Sequence, residues 1–249
     1  MIRNILFDVD GTLWDSAARV GECWTAVLQE YPETRGMVQY KEDIYRYMGH
    51  TMDEIARQMM PQVSEPKRSE IMDRCTEEEN AYLRLHSGVF YTGLSDTLYT
   101  LRELGYRLFI VSNCQIGYIE TLLRCGSYSV AKLYGNVNDD TLSTDAFCTD
   151  AFCTDAFSSD TTYTNALFTD IECYGHTKKP KGENCRLLME RNALLPEETI
   201  YVGDTRMDEE AAEKAGIRFI HAAYGFGEAE HPAAVLSDIT ELISAIKTL

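Results

Sequence analysis

The sequence predicts an α/β fold: a doubly wound, Rossmann-like parallel sheet interrupted near its start by an all-helical insertion. Three observations lead there. From about residue 88 onward, short apolar runs alternate with amphipathic stretches, the pattern of a parallel sheet covered by helices. Between residues 15 and 87 the periodicity is almost wholly helical. The distinctive polar residues follow the predicted strands at their C-terminal ends, where open α/β sheets bind ligands. These observations divide the chain into a core (1–14 and 88–249), a helical cap (15–87) and an inserted repeat-containing loop within the core (127–165).

Residues 4–9, with Ile5-Leu6-Phe7 at their centre, read as a buried strand. Asp15 and Ser16 then offer a cap for a helix carrying Val20, Trp24, Val27 and Leu28. Further helices are expected near 41–48, 51–60 and 67–85, with Thr51 and Glu54 spaced as a capping box. Leu94, Leu98, Leu101 and Leu104 lie at helical spacing, and Gly105 ends that helix. Residues 107–111 form a strand, and Ile116, Ile119, Leu122 and Leu123 mark an amphipathic helix. A weaker strand at 168–173 precedes a helix over 185–191. Residues 199–202 form a strand, 207–215 a helix closed by Gly216, and 217–220 another strand. Ile239, Leu242, Ile243 and Ile246 predict a final helix over 238–249. The segment 144–158 carries Thr-Asp-Ala-Phe three times at a five-residue period, which suits neither helix nor strand. It is expected to be a surface insertion, with Phe147, Phe152 and Phe157 as contact residues if it binds a partner.

Hydrophobic residues make up 45% of the 249, enough for a real core. The net charge of −17 argues against nucleic acid as a partner, since a phosphate backbone needs a basic surface. No stretch is long and apolar enough for a membrane span. The eight cysteines contain no C-x-x-C pair, and the start lacks a basic and apolar leader, so a cytoplasmic protein with free thiols is expected.

Asp8-Val-Asp10-Gly11-Thr12 follows the first strand directly. Two carboxylates at the end of a buried strand cost free energy unless a cation or proton partner offsets them. Residues two apart leave an extended backbone on the same face, and Gly11 permits a sharp turn and close approach of a ligand. This points to a nucleophilic aspartate acting on a metal-bound phosphate, with a second aspartate moving a proton. Three further segments reach the same sheet edge: Ser112-Asn113, the lysines 178, 179 and 181, and Gly203-Asp204 with Asp208. Magnesium suits such a carboxylate set because it takes carboxylate and water oxygens and bridges to phosphate.

Together these segments resemble the haloacid dehalogenase superfamily, and the helices after the first motif resemble its helical-cap subgroup. Within that subgroup the pattern, including Ala222-Ala-Tyr-Gly-Phe-Gly227, is similar to phosphoglycolate phosphatase-like enzymes. The resemblance implies a magnesium-dependent phosphatase of a small phosphomonoester, phosphoglycolate-like or a sugar phosphate, acting through an aspartyl phosphate. It implies Asp8 as nucleophile and Asp10 as proton donor and acceptor. Gly11, Thr12, Ser112 and Asn113 would surround the phosphoryl group. Asp8, Asp10 (through its carbonyl), Asp204 and Asp208 would hold Mg2+. The lysine is Lys181 or Lys179; the run to Leu187 and Leu188 favours Lys181. A dehalogenase or phosphonate hydrolase would leave Asp10 without a role, whereas a sugar phosphomutase or a binding protein retaining only the fold stays open. The expected partner is a small phosphorylated metabolite, met by a monomer or homodimer. His50, Arg19, Arg46 and Arg57 are the cap residues available to select it.

Overall fold

The computed structural model describes residues 1–133 and 166–249; the repeats at 144–158 and their phenylalanines lie outside the described residues. Its main sheet contains β1 (Asn4–Phe7), β4 (Arg107–Ser112), β5 (Val130–Leu133), β6 (Phe168–Cys173), β7 (Thr199–Gly203), β8 (Arg218–Ala222) and β9 (Ala234–Leu236). A separate antiparallel ribbon joins β2 (Trp14–Asp15) to β3 (Val89–Phe90). The main sheet has seven strands, all parallel, in the order β5-β6-β4-β1-β7-β8-β9. From β1 the chain builds outward through β4, returns, and builds the other way from β7. The carboxyl ends of β1 and β7 therefore flank the point where strand order reverses, the usual ligand crevice of this architecture.

Helices cover both faces because the strands alternate two apolar sets. Leu6, Phe109, Tyr201 and Phe219 pack with Leu188 of α8 (Lys181–Arg191) and Ala212 of α9 (Arg206–Ala215). Ile5, Phe7, Ile110 and Val202 face the other way. They join a continuous core with Leu98 of α5 (Leu94–Glu103), Ile119 and Leu122 of α6 (Tyr118–Gly126), and Leu242 of α10 (Leu242–Ile246). Each such buried apolar side chain contributes roughly 1.5–3 kcal/mol. The helices α1 (Ala17–Glu30), α2 (Lys41–Tyr47), α3 (Met52–Met59) and α4 (Glu65–His86) pack on one another through Val20, Trp24, Leu28, Ile44, Ile55 and Ile71. The Thr51–Glu54 capping box forms at the start of α3, with the Thr51 N–H donating to Glu54 Oε2 at 2.9 Å.

Several expectations change. Residues 130–133, assigned to the insertion from sequence, form β5 at the sheet edge, so the core continues to Leu133. The strand at 168–173 reads weakly because Asp170 and Glu172 interrupt its apolar pattern. Both are buried, and Arg191 pairs with them, its Nε donating to Asp170 Oδ2 at 2.7 Å. The final helix is shorter than its apolar pattern suggests: a 3-10 turn over Ile239–Glu241 precedes α10, although Ile239, Leu242 and Ile246 are buried as expected. The ribbon of β2 and β3 and the short edge strand β9 have no sequence signal of their own, being two and three residues long. Among the described residues no helix is long and apolar enough to cross a membrane, and the six cysteines are free thiols.

Candidate active site

Asp8 continues β1, its N–H donating to the Val202 carbonyl at 2.9 Å. Its side chain is buried, and Oδ1 accepts from Lys181 Nζ at 2.9 Å. Lys181 opens α8 and is itself buried; the same ammonium donates to Asp208 Oδ1 at 2.6 Å. Lys178 and Lys179 are exposed, so of the three lysines Lys181 is the one that reaches Asp8.

Asp204 follows β7 and Asp208 lies in the first turn of α9, where a capping box forms. Asp208 Oδ2 accepts from the Thr205 N–H at 3.0 Å and from Thr205 Oγ1 at 2.6 Å, so both oxygens of Asp208 are engaged. Asp204 is held differently. Its Oδ2 accepts from the Phe226 N–H at 2.7 Å, while Oδ1 is buried with no hydrogen-bond partner. Two glycines make room for it. A Cβ on Gly11, whose φ is +81°, would lie 2.1 Å from Asp204 Oδ2, and one on Gly225 would lie 2.3 Å from Asp204 Cβ. Only glycine fits at either position. Ligand oxygens of Asp8, Asp204 and Asp208 lie within 4.8 Å of one another. The bare oxygen of Asp204, aimed into this all-carboxylate group, fits a small hard cation such as Mg2+. The Asp10 carboxylate lies outside that group.

Burial, then Asp208, pushes the Asp8 carboxyl up to about 7, against the pull of Lys181. Burial also raises Asp204, assisted by Asp208 and Asp8. For Lys181 burial acts downward, but the Asp208 and Asp8 carboxylates outweigh it, so the ammonium stays charged. Three buried acids around one lysine leave two negative charges unbalanced when all are ionised, and a bound divalent cation would offset them.

Asp10 occupies a different setting. Its Oδ1 accepts from Tyr118 OH at 2.6 Å, Ser16 Oγ at 2.8 Å and Trp14 Nε1 at 3.1 Å. All three donors converge on one oxygen. Burial lifts this carboxyl to about 6, while the three hydrogen bonds hold it from rising further. Of Asp15 and Ser16, the two residues offered as a cap for α1, Asp15 takes a cap-like bond, its Oδ1 accepting from the Ala17 N–H at 3.0 Å, while Ser16 makes no side-chain cap bond.

Asp8, Asp10, Ser112 and Asn113 line one cavity of about 30 Å³ together with Trp24, Ile44 and Glu79 of the helical insertion. Asn113 Nδ2 donates to the Gly49 carbonyl at 2.7 Å, tying the sheet edge to the helices above it. Thr12 Oγ1 is buried without a partner. Of the four expected selector residues, His50 lines the cavity. Arg19 pairs with Glu22, Arg46 with Asp43, and Arg57 donates to the Asp53 carbonyl. Sequence patterning gave no notice of Tyr118, Glu79 or Gln115, whose contacts are distant in the chain; Ser16 and Thr205 act locally, on Asp10 and Asp208, in roles the sequence did not assign to them. Phe226 sits in the Tyr-Gly-Phe-Gly run, whose place in the site becomes visible only in three dimensions.

A family model described as haloacid dehalogenase-like hydrolase matches residues 2–216. Among curated proteins the chain is 23% identical to a phosphoglycolate phosphatase of Pseudomonas putida, over 97% of this chain and 78% of that protein. It is 24% identical to the phosphoglycolate phosphatase of Escherichia coli, over 98% of this chain and 92% of that one. Among solved structures, a haloacid dehalogenase-like family hydrolase of Streptococcus pneumoniae superposes with a TM-score of 0.70 at 19% identity, covering 98% of each chain. The fold it shares is the one described above.

Proposed function

Because the chain belongs to the haloacid dehalogenase-like hydrolase family, we propose that it is a magnesium-dependent phosphatase of a small cytosolic phosphomonoester, working through an aspartyl phosphate on Asp8. The observation that carries this is the contrast between two neighbouring carboxylates. Asp8 is bound to Lys181 within a charged cluster, whereas Asp10 has every donor on a single oxygen. The relatives named phosphoglycolate phosphatase support the reaction class.

Asp8 supplies the attacking oxygen: a P–O bond forms to its carboxylate as the bond from phosphorus to the alcohol oxygen breaks. Asp10, with Oδ2 clear of its three donors, carries the proton that the leaving oxygen takes. Ionised by that transfer, Asp10 then removes a proton from the water that attacks phosphorus, releasing inorganic phosphate and regenerating Asp8. Lys181 holds Asp8 in place and neutralises charge on the phosphoryl group. Ser112, Asn113, Thr12 and the Gly11 turn surround its oxygens. Asp8, Asp204, Asp208 and the Asp10 carbonyl would hold Mg2+, which when bound neutralises phosphoryl charge and keeps the nucleophile ionised. The helices over 15–87 act as a cap. The cavity beneath them has room for only a water or two, so the cap opens for substrate and closes over it.

The test is release of inorganic phosphate from p-nitrophenyl phosphate with magnesium and with a chelator. Turnover that requires magnesium and disappears in Asp8→Asn supports the reading. A folded protein with no magnesium-dependent turnover, or an Asp8→Asn variant as active as the parent, refutes it.

A further inference from the structure

Glu79 stands on α4 in the helical insertion, lines the same cavity as the strand-end residues Asp8 and Asp10, and is 2% exposed. The phosphoryl group belongs beside Asp8, so Glu79 faces the alcohol portion of the substrate. Trp24 Nε1 donates to its Oε2 at 2.5 Å and Gln115 Nε2 to its Oε1 at 2.9 Å. Those bonds fix the Gln115 amide with its oxygen turned away from Glu79, and that buried Oε1 has no partner. Asn113 is oriented in the same way by the Gly49 carbonyl, and its buried Oδ1 also has no partner. The residues lining the cavity therefore carry a carboxyl and two orphaned amide oxygens, beside Val20, Ile44 and Ile55. No lysine or arginine is among the described residues lining it, and His50 sits 3.7 Å from Glu54. A buried acceptor without a donor is costly, and a ligand bringing hydroxyl groups would supply the missing donors here. A ligand bringing a carboxylate would place a second anionic group beside the phosphoryl group, with no lysine or arginine among the described lining residues to meet it.

Resting on the phosphatase reading, we propose that Glu79 and Gln115 are specificity-determining residues that select a phosphomonoester whose alcohol portion carries hydroxyl groups and no carboxylate. A polyol phosphate meets that description and phosphoglycolate does not, despite the names of the curated relatives. Burial pushes the Glu79 carboxyl up to about 8, which favours a neutral hydroxyl over an ammonium as its neighbour.

The experiment compares kcat/KM for glycerol phosphate and sorbitol phosphate with that for phosphoglycolate and phosphoethanolamine, using p-nitrophenyl phosphate as the control for chemistry. The parent, Glu79→Gln and Gln115→Met proteins are measured with magnesium. The parent should favour the better polyol phosphate over phosphoglycolate by at least about tenfold. Glu79→Gln should raise the polyol KM several-fold more than it lowers kcat, and should narrow the ratio to phosphoglycolate. Gln115→Met should raise the polyol KM likewise and keeps the test open if the Glu79 variant fails to fold. A role confined to fastening the cap would change all four substrates alike and would overturn the proposal. So would a parent that prefers phosphoglycolate or phosphoethanolamine while still hydrolysing p-nitrophenyl phosphate. A parent inactive on p-nitrophenyl phosphate as well would sink the phosphatase reading and this inference with it.

Discussion

Replacing Lys181 with methionine removes an ammonium that touches both Asp8 and Asp208, at 2.9 and 2.6 Å. The lysine side chain is 3% exposed and its two partners 4% and 0%, so solvent does little to screen the loss. Breaking a buried ion pair by deleting one partner costs about 3–5 kcal/mol, because the other charge is left uncompensated. In a chain of this size that lowers Tm by roughly 6–20 °C. The loss depends on pH in a definite direction. The folded-state pKa of Asp8 already lies above its unfolded value, and removing Lys181 raises it further. The folded state of Lys181→Met then binds more protons than the unfolded state, so its stability is greatest at low pH and falls as pH rises through the folded pKa. Urea denaturation in chelator at about pH 5 and about pH 8 should show the larger deficit at the higher pH. Saturating magnesium should recover part of it, since a cation at a hundredfold excess over Kd adds about 2.7 kcal/mol. A deficit below about 1 kcal/mol at the higher pH, or one indifferent to both pH and magnesium, would refute the idea that Lys181 neutralises a buried acidic cluster.

Asp204→Asn should raise the magnesium concentration needed for half-maximal activity at least tenfold, because the cation loses the charge of a carboxylate whose Oδ1 has no other partner; an unchanged titration would place the ion elsewhere. Gly11→Ala should disturb the same carboxylate, since its Cβ would lie 2.1 Å from Asp204 Oδ2, and should lower both Tm and magnesium affinity; a variant matching the parent in both would show that the turn relaxes freely. Tyr118→Phe removes a hydrogen bond that restrains the Asp10 carboxyl near 6, so the pH–rate limb belonging to Asp10 should move upward, by about half a unit to one unit; an unmoved profile would detach Tyr118 from that proton. Glu79 is raised by burial to about 8 in the folded protein, so its contribution to stability is fully present below its unfolded pKa and is lost as pH rises through about 8. Glu79→Gln should therefore flatten the stability profile between about pH 5 and pH 8, and equal slopes in denaturant melts would contradict that.

The strand ends were legible because chemistry and topology coincide there. Asp8, Ser112 and Asp204 each follow an apolar run that pairs in the predicted parallel sheet, so reading the runs also located the acids. Lys181 was favoured over Lys179 from spacing to Leu187 and Leu188, and the helix does begin at Lys181. The supporting contacts were not legible. Asp10 is held by Tyr118, 108 residues away, and Glu79 meets Gln115 across 36, so no local pattern announces either. Asp15 and Ser16 both suit the start of α1; Asp15 accepts from the Ala17 N–H, while the Ser16 hydroxyl is drawn to Asp10, a role that a capping pattern does not announce. Val130–Leu133 was absorbed into the polar insertion because four residues at a sheet edge carry too short a pattern to stand out.

The central claim is that Asp8 accepts the phosphoryl group before water does. The most direct measurement is acid quenching within the first turnover, followed by mass spectrometry of the peptide containing residues 4–18 with and without borohydride reduction. One phosphoryl group is expected on Asp8 in the parent and none in Asp8→Asn. Asp10→Asn, slowed in the proton steps, should still show the Asp8 adduct with an activated aryl phosphate. Product release with no adduct on Asp8 at any quench time, together with an active Asp8→Asn variant, would contradict it.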